Sequence, residues 1–386
     1  MQRQTQEVLA LQIEEMLSAG QTPMTDSVMR NPVTDYIDHD HFGREKSELF
    51  LRFPIVVGHS SSCAEPKDFI AEDIAGVPVL VVRQSDRSLK AFFNVCRHRG
   101  SKVTFEACGN RATFACRYHG WTYRSDGTLV NVTAADDFGD IDKAEMGLVE
   151  LPVEERHGLI WVMLQAGSTI DVAAHLGPEF DSELTAYGME DFVVDRSAST
   201  PAVANWKIIV DGFLEVYHLA FLHRTTIGPH IRSNFAPFRP LGLHGCMTAV
   251  RTNFDAVRGT IRDGGIDDVN LQPYFINAYQ IFPNTVLVWS GRHFEAWMVF
   301  PDASDPSRSV TKVSVLGRRS EIADTGYWER NWVVVKDTVL TEDMTVGQSI
   351  QQGFTTGAQT EVTFGRNEPG VQHYHRSLAQ AVGGAV

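Results

Sequence analysis

Two short runs, Cys96-Arg97-His98 and Cys116-Arg117-Tyr118-His119, constrain this chain more than anything else in it. They read C-x-H, then 17 residues, then C-x2-H. Two thiolates and two imidazoles fit together as one metal centre only if a small scaffold presents both loops side by side. The remaining cysteines, Cys63, Cys108 and Cys246, bring the total to five. With an odd count and two thiols engaged by metal, a disulfide framework is not expected, and a reducing cytoplasm is.

A Cys2His2 zinc site usually separates the members of each pair by at least two residues, so C-x-H matches it poorly. The four residues are instead the ligand set of a Rieske [2Fe–2S] cluster. There the cysteines hold one iron and the histidines the other, which raises the potential above that of an all-cysteine cluster. Gly120-Trp121 after the second loop and the strand-like Leu89–Val95 before the first both resemble Rieske domains. High-potential Rieske proteins carry an extra cysteine in each ligand loop. Ser101 and Tyr118 stand at those positions, which resembles the lower-potential centres of ring-hydroxylating oxygenases.

A length of 386 residues predicts two domains. The net charge of -14 argues against nucleic acid or an anionic membrane surface as partner. No apolar run approaches the ~18 residues needed to span a bilayer. No basic segment followed by an apolar one opens the chain, so a cytoplasmic protein is expected.

Residues 5–18 read as an amphipathic helix and 19–45 as irregular; together 1–45 form an N-terminal helix and arm. From 46 to 165, short β-rich runs such as Val77–Val82 and Gly158–Leu164 alternate with polar turns, predicting a small antiparallel β domain. A connector at 166–182 leads into a second domain, 166–386. It has a helix near 205–222, strands at 245–255, 275–289, 293–301 and 309–318, a long helix near 325–353 and a loosely attached tail from Gly365. The class is α+β.

The 205–222 helix holds a second ligand set. Asp211, Glu215 and His218 fall at i, i+4 and i+7 on one face. His223 lies about 140° off that face in a regular helix. Both histidines meet one metal only if the helix ends or bulges between them. On the long helix, Val335, Val339, Asp343, Val346 and Ile350 form one stripe, so Asp343 interrupts an aliphatic face. A carboxylate there is unfavourable unless paired or metal-bound. The alternative is a helix-internal salt bridge or an assignment off by one residue, with Glu342 or Asp337 as the outward-facing acid; neither lies on the stripe, and Glu215 is the rival third ligand. His218, His223 and Asp343 make a two-histidine, one-carboxylate facial set that suits Fe(II) and leaves positions open for O2 and substrate. Zinc also suits these ligands but cannot accept electrons.

Taken in order, these pieces resemble the catalytic α subunit of Rieske non-haem iron oxygenases, the aromatic-ring-hydroxylating family. They are Cys96/His98 with Cys116/His119, Asn205-Trp206-Lys207, Glu215-x2-His218-x4-His223, and Glu342-Asp343 with Gln351-Gln352-Gly353. The resemblance implies a Rieske antiparallel β domain followed by a helix-grip (START-like) catalytic domain with an antiparallel sheet and long C-terminal helix. It implies a [2Fe–2S] cluster on Cys96, His98, Cys116 and His119, and Fe(II) on His218, His223 and Asp343. Glu215 becomes the acid that bridges two histidines, and Asp211 a second candidate catalytic acid. The implied partners are O2, a small-molecule substrate, a flavin-dependent NAD(P)H reductase and, in some members, a ferredoxin. The implied assembly is a trimer. Naphthalene-type dioxygenases use aspartate as the bridging acid; glutamate is similar to the quaternary-amine members. With the chain's modest length, this leans towards a homotrimer (α3), a β subunit being left open.

The resemblance implies ring dihydroxylation or monohydroxylation. Oxidative N- or O-demethylation is the alternative, and a pure Rieske electron-transfer protein is a third reading that the second ligand set opposes. Phe275, Asn277, Tyr279, Phe282, Trp289, Phe294 and Trp297 are candidates for an aromatic-lined pocket or for core. Arg232, Arg251 and Arg292 are candidates for holding a substrate carboxylate.

Overall fold

A computed structural model describes residues 1–383. The chain divides into two units: Phe50–His175, and Met1–Leu49 together with the chain from Leu176 onward. The first 49 residues therefore join the second unit and do not stand apart as an arm.

The Phe50–His175 unit is built of antiparallel strands. Five form one sheet in the order Glu150–Leu151, Leu89–Phe93, Val77–Arg83, Asp68–Ile74, Cys108–Asn110. Val153–Arg156, Leu159–Val162 and Ile55–His59 form a second sheet, and Thr113–Ala115, Thr122–Arg124 and Leu129–Asn131 a third. β-Branched runs such as Val77-Pro-Val-Leu-Val-Val82 suit these positions because both faces are covered. The core gathers Phe69, Leu80, Phe92, Phe114, Trp121 and Tyr123, and it includes Cys96 and Cys116. Packing therefore anchors both ligand loops at their cysteine ends.

The other unit has a seven-stranded antiparallel sheet. Its order is Phe192–Ala202, Ser309–Arg318, His293–Pro301, Thr285–Trp289, Phe275–Ile281, His244–Val250, Phe238–Leu241. A long helical run lies against it: Thr325–Asp337, a π-helical stretch Thr338–Asp343, then Met344–Thr355. The Trp328 ring seats over Gly317, where a Cβ would lie only 2.0 Å from it, so glycine permits the contact. Within the widened turn, the Thr341 hydroxyl donates to the Lys336 carbonyl five residues back at 2.8 Å. This is the helix-grip α+β arrangement.

Several elements depart from expectation. The 205–222 helix is only Trp206–Asp211, and His218 starts a separate 3-10 turn, His218–Ala220. Residues 19–45 are not irregular: Met29–Pro32 pairs antiparallel with Glu361–Phe364, and Thr34–Ile37 and His39–Glu45 are helical. The tail is not loose through its described part, since Pro369–Val382 is a helix with Val371, Tyr374, His375 and Leu378 buried; its last three residues lie outside the described residues. The strands Phe192–Ala202 and Phe238–Leu241 and the helix Val172–Thr185, kinked at Gly177, were not expected.

Asn205-Trp206-Lys207 ties the arm to the short helix. Asn205 Oδ1 caps it by accepting from the Lys207 N–H at 2.9 Å, while its Nδ2 donates to the carbonyls of Tyr36 at 3.0 Å and Pro306 at 2.8 Å. Gln351 Oε1 accepts from the Asn205 N–H at 2.7 Å. Lys207 is ion-paired with Glu45, both fully buried, and Trp206 Nε1 donates to Glu45 at 3.1 Å.

Candidate metal centres

The two Cys/His loops fold alike. In the first, the Gly100 N–H donates to the Cys96 carbonyl at 2.9 Å and the Cys96 N–H to the Ser101 carbonyl at 2.8 Å. In the second, Gly120 to Cys116 at 2.9 Å and Cys116 to Trp121 at 2.8 Å repeat the pattern. Both glycines have positive φ, and at Gly120 a Cβ would also lie 2.7 Å from Thr133 Oγ1. The loops bring His98 and His119 to a ring separation of 4.6 Å, while His98 stacks on Trp121 at 5.0 Å.

The donor set fits an iron–sulfur cluster. Among the described residues, His119 Nδ1 is buried without a hydrogen-bond partner, as a nitrogen reserved for metal would be. Partial desolvation, with His119 and Arg99 nearby, holds the His98 imidazole below its ordinary value and so in the neutral, ligating form. Burial, with Cys116 alongside, pushes the Cys96 thiol up, a penalty that bound iron offsets. Tyr123 was missed in the sequence: its hydroxyl lies 3.4 Å from Cys96 Sγ and accepts from the Arg97 N–H at 3.0 Å. Nothing in its strand context distinguishes it from a core tyrosine.

In the other unit, His218, His223 and Asp343 present ligand atoms that all lie within 4.8 Å of one another. Asp343 Oδ1 is 3.1 Å from His223 Nε2 and 3.8 Å from His218 Nε2. Helix termination brings the histidines together: the Trp206–Asp211 helix ends, and the chain turns before His218. Glu215 directs that turn, because its Oε2 accepts from the backbone N–H groups of Tyr217 and His218. Its Oε1 accepts from His218 Nδ1. The shared face of a regular helix is therefore not what joins Glu215 to His218; a capped turn does.

Glu342 is not an outward-facing acid. Its Oε2 lies 2.5 Å from His223 Nδ1 and accepts from Thr226 Oγ1 at 3.0 Å. Each histidine thus turns Nε2 inward and holds a carboxylate on Nδ1, an arrangement that fixes tautomer and ring orientation at a metal. Burial opposes protonation of His223, but Asp343 and Glu342 outweigh it and raise its value. Asp211 borders the same cavity as His218, His223 and Asp343, but other partners hold its carboxylate. It accepts from Tyr36 Oη at 3.1 Å and lies 2.9 Å from His375 Nε2, so it belongs to a buried network with the arm and the final helix. His375 went unnoticed because the tail reads as polar.

The three candidate ligands open on a cavity of about 500 Å³. Val335, Val339, Val346 and Ile350 line it beside Asp343, as the helical stripe predicts, and Met247, Ala249, Ile276, Ala278 and Val288 face them from the sheet. The aromatic residues that border the cavity are Tyr36, Phe213, Phe354 and Phe364, not the expected set. Phe275, Tyr279, Phe282, Trp289, Phe294 and Trp297 are buried, and none borders this cavity. Along Phe275–Ile281, Ile276 and Ala278 point into it, so Phe275, Asn277 and Tyr279 take the opposite face. Of the three arginines, only Arg251 borders it.

Among the described residues, no helix is long and apolar enough to cross a membrane.

Residues 53–148 match the Rieske [2Fe-2S] domain model, and residues 189–384 match the ring hydroxylating alpha subunit (catalytic domain) model. Choline monooxygenase, chloroplastic, of Spinacia oleracea is 26% identical over 365 residues, covering 91% of this chain and 78% of that protein. The carnitine monooxygenase oxygenase subunit of Acinetobacter pittii (strain PHEA-2) is 33% identical over 194 residues, 50% of this chain and 52% of that one, so the match spans about half of each. A solved structure of the quaternary ammonium Rieske monooxygenase CntA superposes with a TM-score of 0.77 at 22% identity, covering 91% of this chain and 94% of that one, and so shares its fold. With both domain models in sequence and both donor sets assembled, the chain belongs to the ring-hydroxylating α-subunit family of Rieske oxygenases.

Proposed function

We propose that this chain is a terminal oxygenase component, acting on an apolar small molecule with O2 and electrons relayed from NAD(P)H through a separate flavin-dependent reductase. The observation that carries the reading is the carboxylate-backed His218, His223 and Asp343 set facing a largely apolar cavity. Cys96, Cys116, His98 and His119 hold the [2Fe–2S] cluster, and His218, His223 and Asp343 hold Fe(II). Held by these residues, Fe(II) would supply the site for O2 activation, and the cluster would supply the electrons. Hydroxylation takes two electrons and two protons per O2, giving an alcohol and water; ring dihydroxylation takes the same and places both oxygens in a diol.

The chain's own residues do the rest. Glu215 and Glu342 hold the imidazoles in the ligating tautomer. The valines of the long helix exclude water and orient the substrate. Glu215 is also the proposed bridge to a cluster histidine of a neighbouring copy, in a homotrimer. The relatives named carnitine and choline monooxygenase favour a second reading, monooxygenation leading to oxidative demethylation. Turnover under labelled O2 with a surrogate reductase tests both. Two labelled atoms in product mean dioxygenation, one means monooxygenation, and released formaldehyde means demethylation. NAD(P)H consumption with no oxygenated product from any substrate class rejects the oxygenase reading.

A further inference from the structure

Of the charged groups that border the cavity, Glu215 and Asp343 belong to its metal end, while Arg251 stands on the sheet wall. Met247, Ala249 and Arg251 alternate along one strand and its extension, and all three border the cavity. The first two suit an aliphatic wall; the third places a guanidinium there. Its backbone is held firmly. The Arg251 N–H donates to the Tyr274 carbonyl at 2.9 Å, the Arg232 N–H to the Val250 carbonyl at 2.8 Å, and Ile231 bridges to Arg251. The side chain, in contrast, makes no hydrogen bond or ion pair among the described residues.

Nearby arginines are ion-paired, although Arg232 Nε is buried without a hydrogen-bond partner among the described residues. Arg232 pairs with Asp255, and Arg292 with Glu321 at 2.8 Å and Asp324 at 3.0 Å. The acid on the same wall, Glu295, is engaged by other donors: Trp297 Nε1 at 3.0 Å and His293 Nε2 at 3.4 Å. It also stands across the sheet. Met247, Ala278, Val288 and Glu295 lie in one register row over four strands, which puts Glu295 roughly 14 Å from the strand that carries Arg251. Glu295 attracts the guanidinium without pairing with it. Burial, partly offset by Tyr327 and Glu295, draws the guanidinium below its ordinary value. A half-buried cation without a partner beside an aliphatic wall is unfavourable, and a ligand carboxylate would complete it with two parallel N–H···O bonds.

Resting on the oxygenase reading, we propose that Arg251 selects the substrate: an apolar molecule bearing one carboxylate, bound by this guanidinium, with its skeleton along the aliphatic wall. A cavity of about 500 Å³ accommodates a molecule of that size.

The test is equilibrium binding by calorimetry to the cluster-containing protein with its mononuclear site emptied, so that the readout does not depend on turnover. The probes are benzoate, phenylacetate, 3-phenylpropionate and cyclohexanecarboxylate, each against its neutral primary amide. At least one acid should bind tenfold or more tightly than its amide. Arg251→Gln should lower that acid's affinity roughly 10–100-fold and leave the amide's unchanged, since a charge-assisted pair is lost and the apolar contacts are kept. Arg251→Lys should recover part of the preference, and unchanged cluster absorption and Tm show that the variants fold. Absence of saturable binding by every acid, equal affinity of acid and amide, or a preference that survives in Arg251→Gln overturns the proposal. Oxygenated product from a neutral substrate with no preference for acids sinks the role of Arg251 alone; acids that bind through Arg251 but are never oxygenated sink the oxygenase reading alone.

Discussion

Glu342 Oε2 lies 2.5 Å from Nδ1 of His223, on the edge of the ring opposite the one that faces Asp343. Two consecutive acids therefore flank one imidazole. The π-helical stretch ending at Asp343 provides the geometry, because its wider turn lets neighbouring residues share one face of the helix. The prediction follows that Glu342→Gln keeps the fold and the cluster while weakening Fe(II) retention by roughly 10–100-fold, the usual consequence of losing a carboxylate behind a metal histidine. Iron content after dialysis, set against sulfide content, measures it. Undiminished iron in the variant would show that Glu342 is only a structural acid.

Asp343→Ala removes the anionic member of the proposed facial set. Turnover should vanish and mononuclear iron be lost, with visible absorption of the cluster unchanged. Retained activity would move the third ligand to Glu215 or Glu342.

The cluster assignment is tested from its own side. Cys96→Ser and His119→Ala each remove a ligand from one of the two irons and should abolish the brown chromophore. A variant that purifies with full absorption and sulfide would contradict the assignment.

Most of this was legible in the sequence where the signal is local. The Cys/His spacing marks the cluster loops because each loop closes on itself within six residues. Asp343 stood out because a charge on an aliphatic helical stripe is visible at i, i+4 spacing, and that stripe lines the cavity. The misread helix at 205–222 had periodicity in its favour, but the Glu215 carboxylate competes for backbone N–H groups, and no periodicity reports that. The strand Met29–Pro32 depends on a partner more than three hundred residues away. Glu342 was misjudged because a π turn shifts register by one residue, which α-helical geometry does not anticipate.

The Glu45–Lys207 pair fastens the N-terminal arm beside the short helix that precedes the histidines. Lys207→Met strands a buried carboxylate and should destabilise the protein by about 3–5 kcal/mol, whereas Glu45→Leu with Lys207→Met should recover most of it. Burial raises the Glu45 value, but Lys207 and His41 outweigh this and leave it below the ordinary 4.5. Its folded value being depressed, the pair's stabilisation is present above pH 4.5 and is lost as pH falls through the folded value. Thermal unfolding of both variants from neutral to acid pH should show this acid-side loss reduced where Glu45 is absent. An unaltered profile would remove Glu45 from the account.

Glu215 accepts at both of its oxygens: His218 Nδ1 on Oε1, and the Tyr217 and His218 N–H groups on Oε2. A glutamine cannot reproduce this. Whichever way its amide turns, an NH2 group meets either the ring N–H or the two backbone N–H groups, so Glu215→Gln should weaken iron retention as well as any relay through this acid. The two effects separate when rates are compared per iron-occupied site. Reduced, substrate-loaded enzyme is mixed with O2, cluster reoxidation is followed by stopped flow, and the rate is set against measured mononuclear iron. If Glu215 bridges His218 to a cluster histidine of a neighbouring copy, reoxidation at equal iron occupancy should slow roughly 10–100-fold in the variant. If it only braces His218, the rate per occupied site should match the wild type, and the electron route must then avoid this carboxylate.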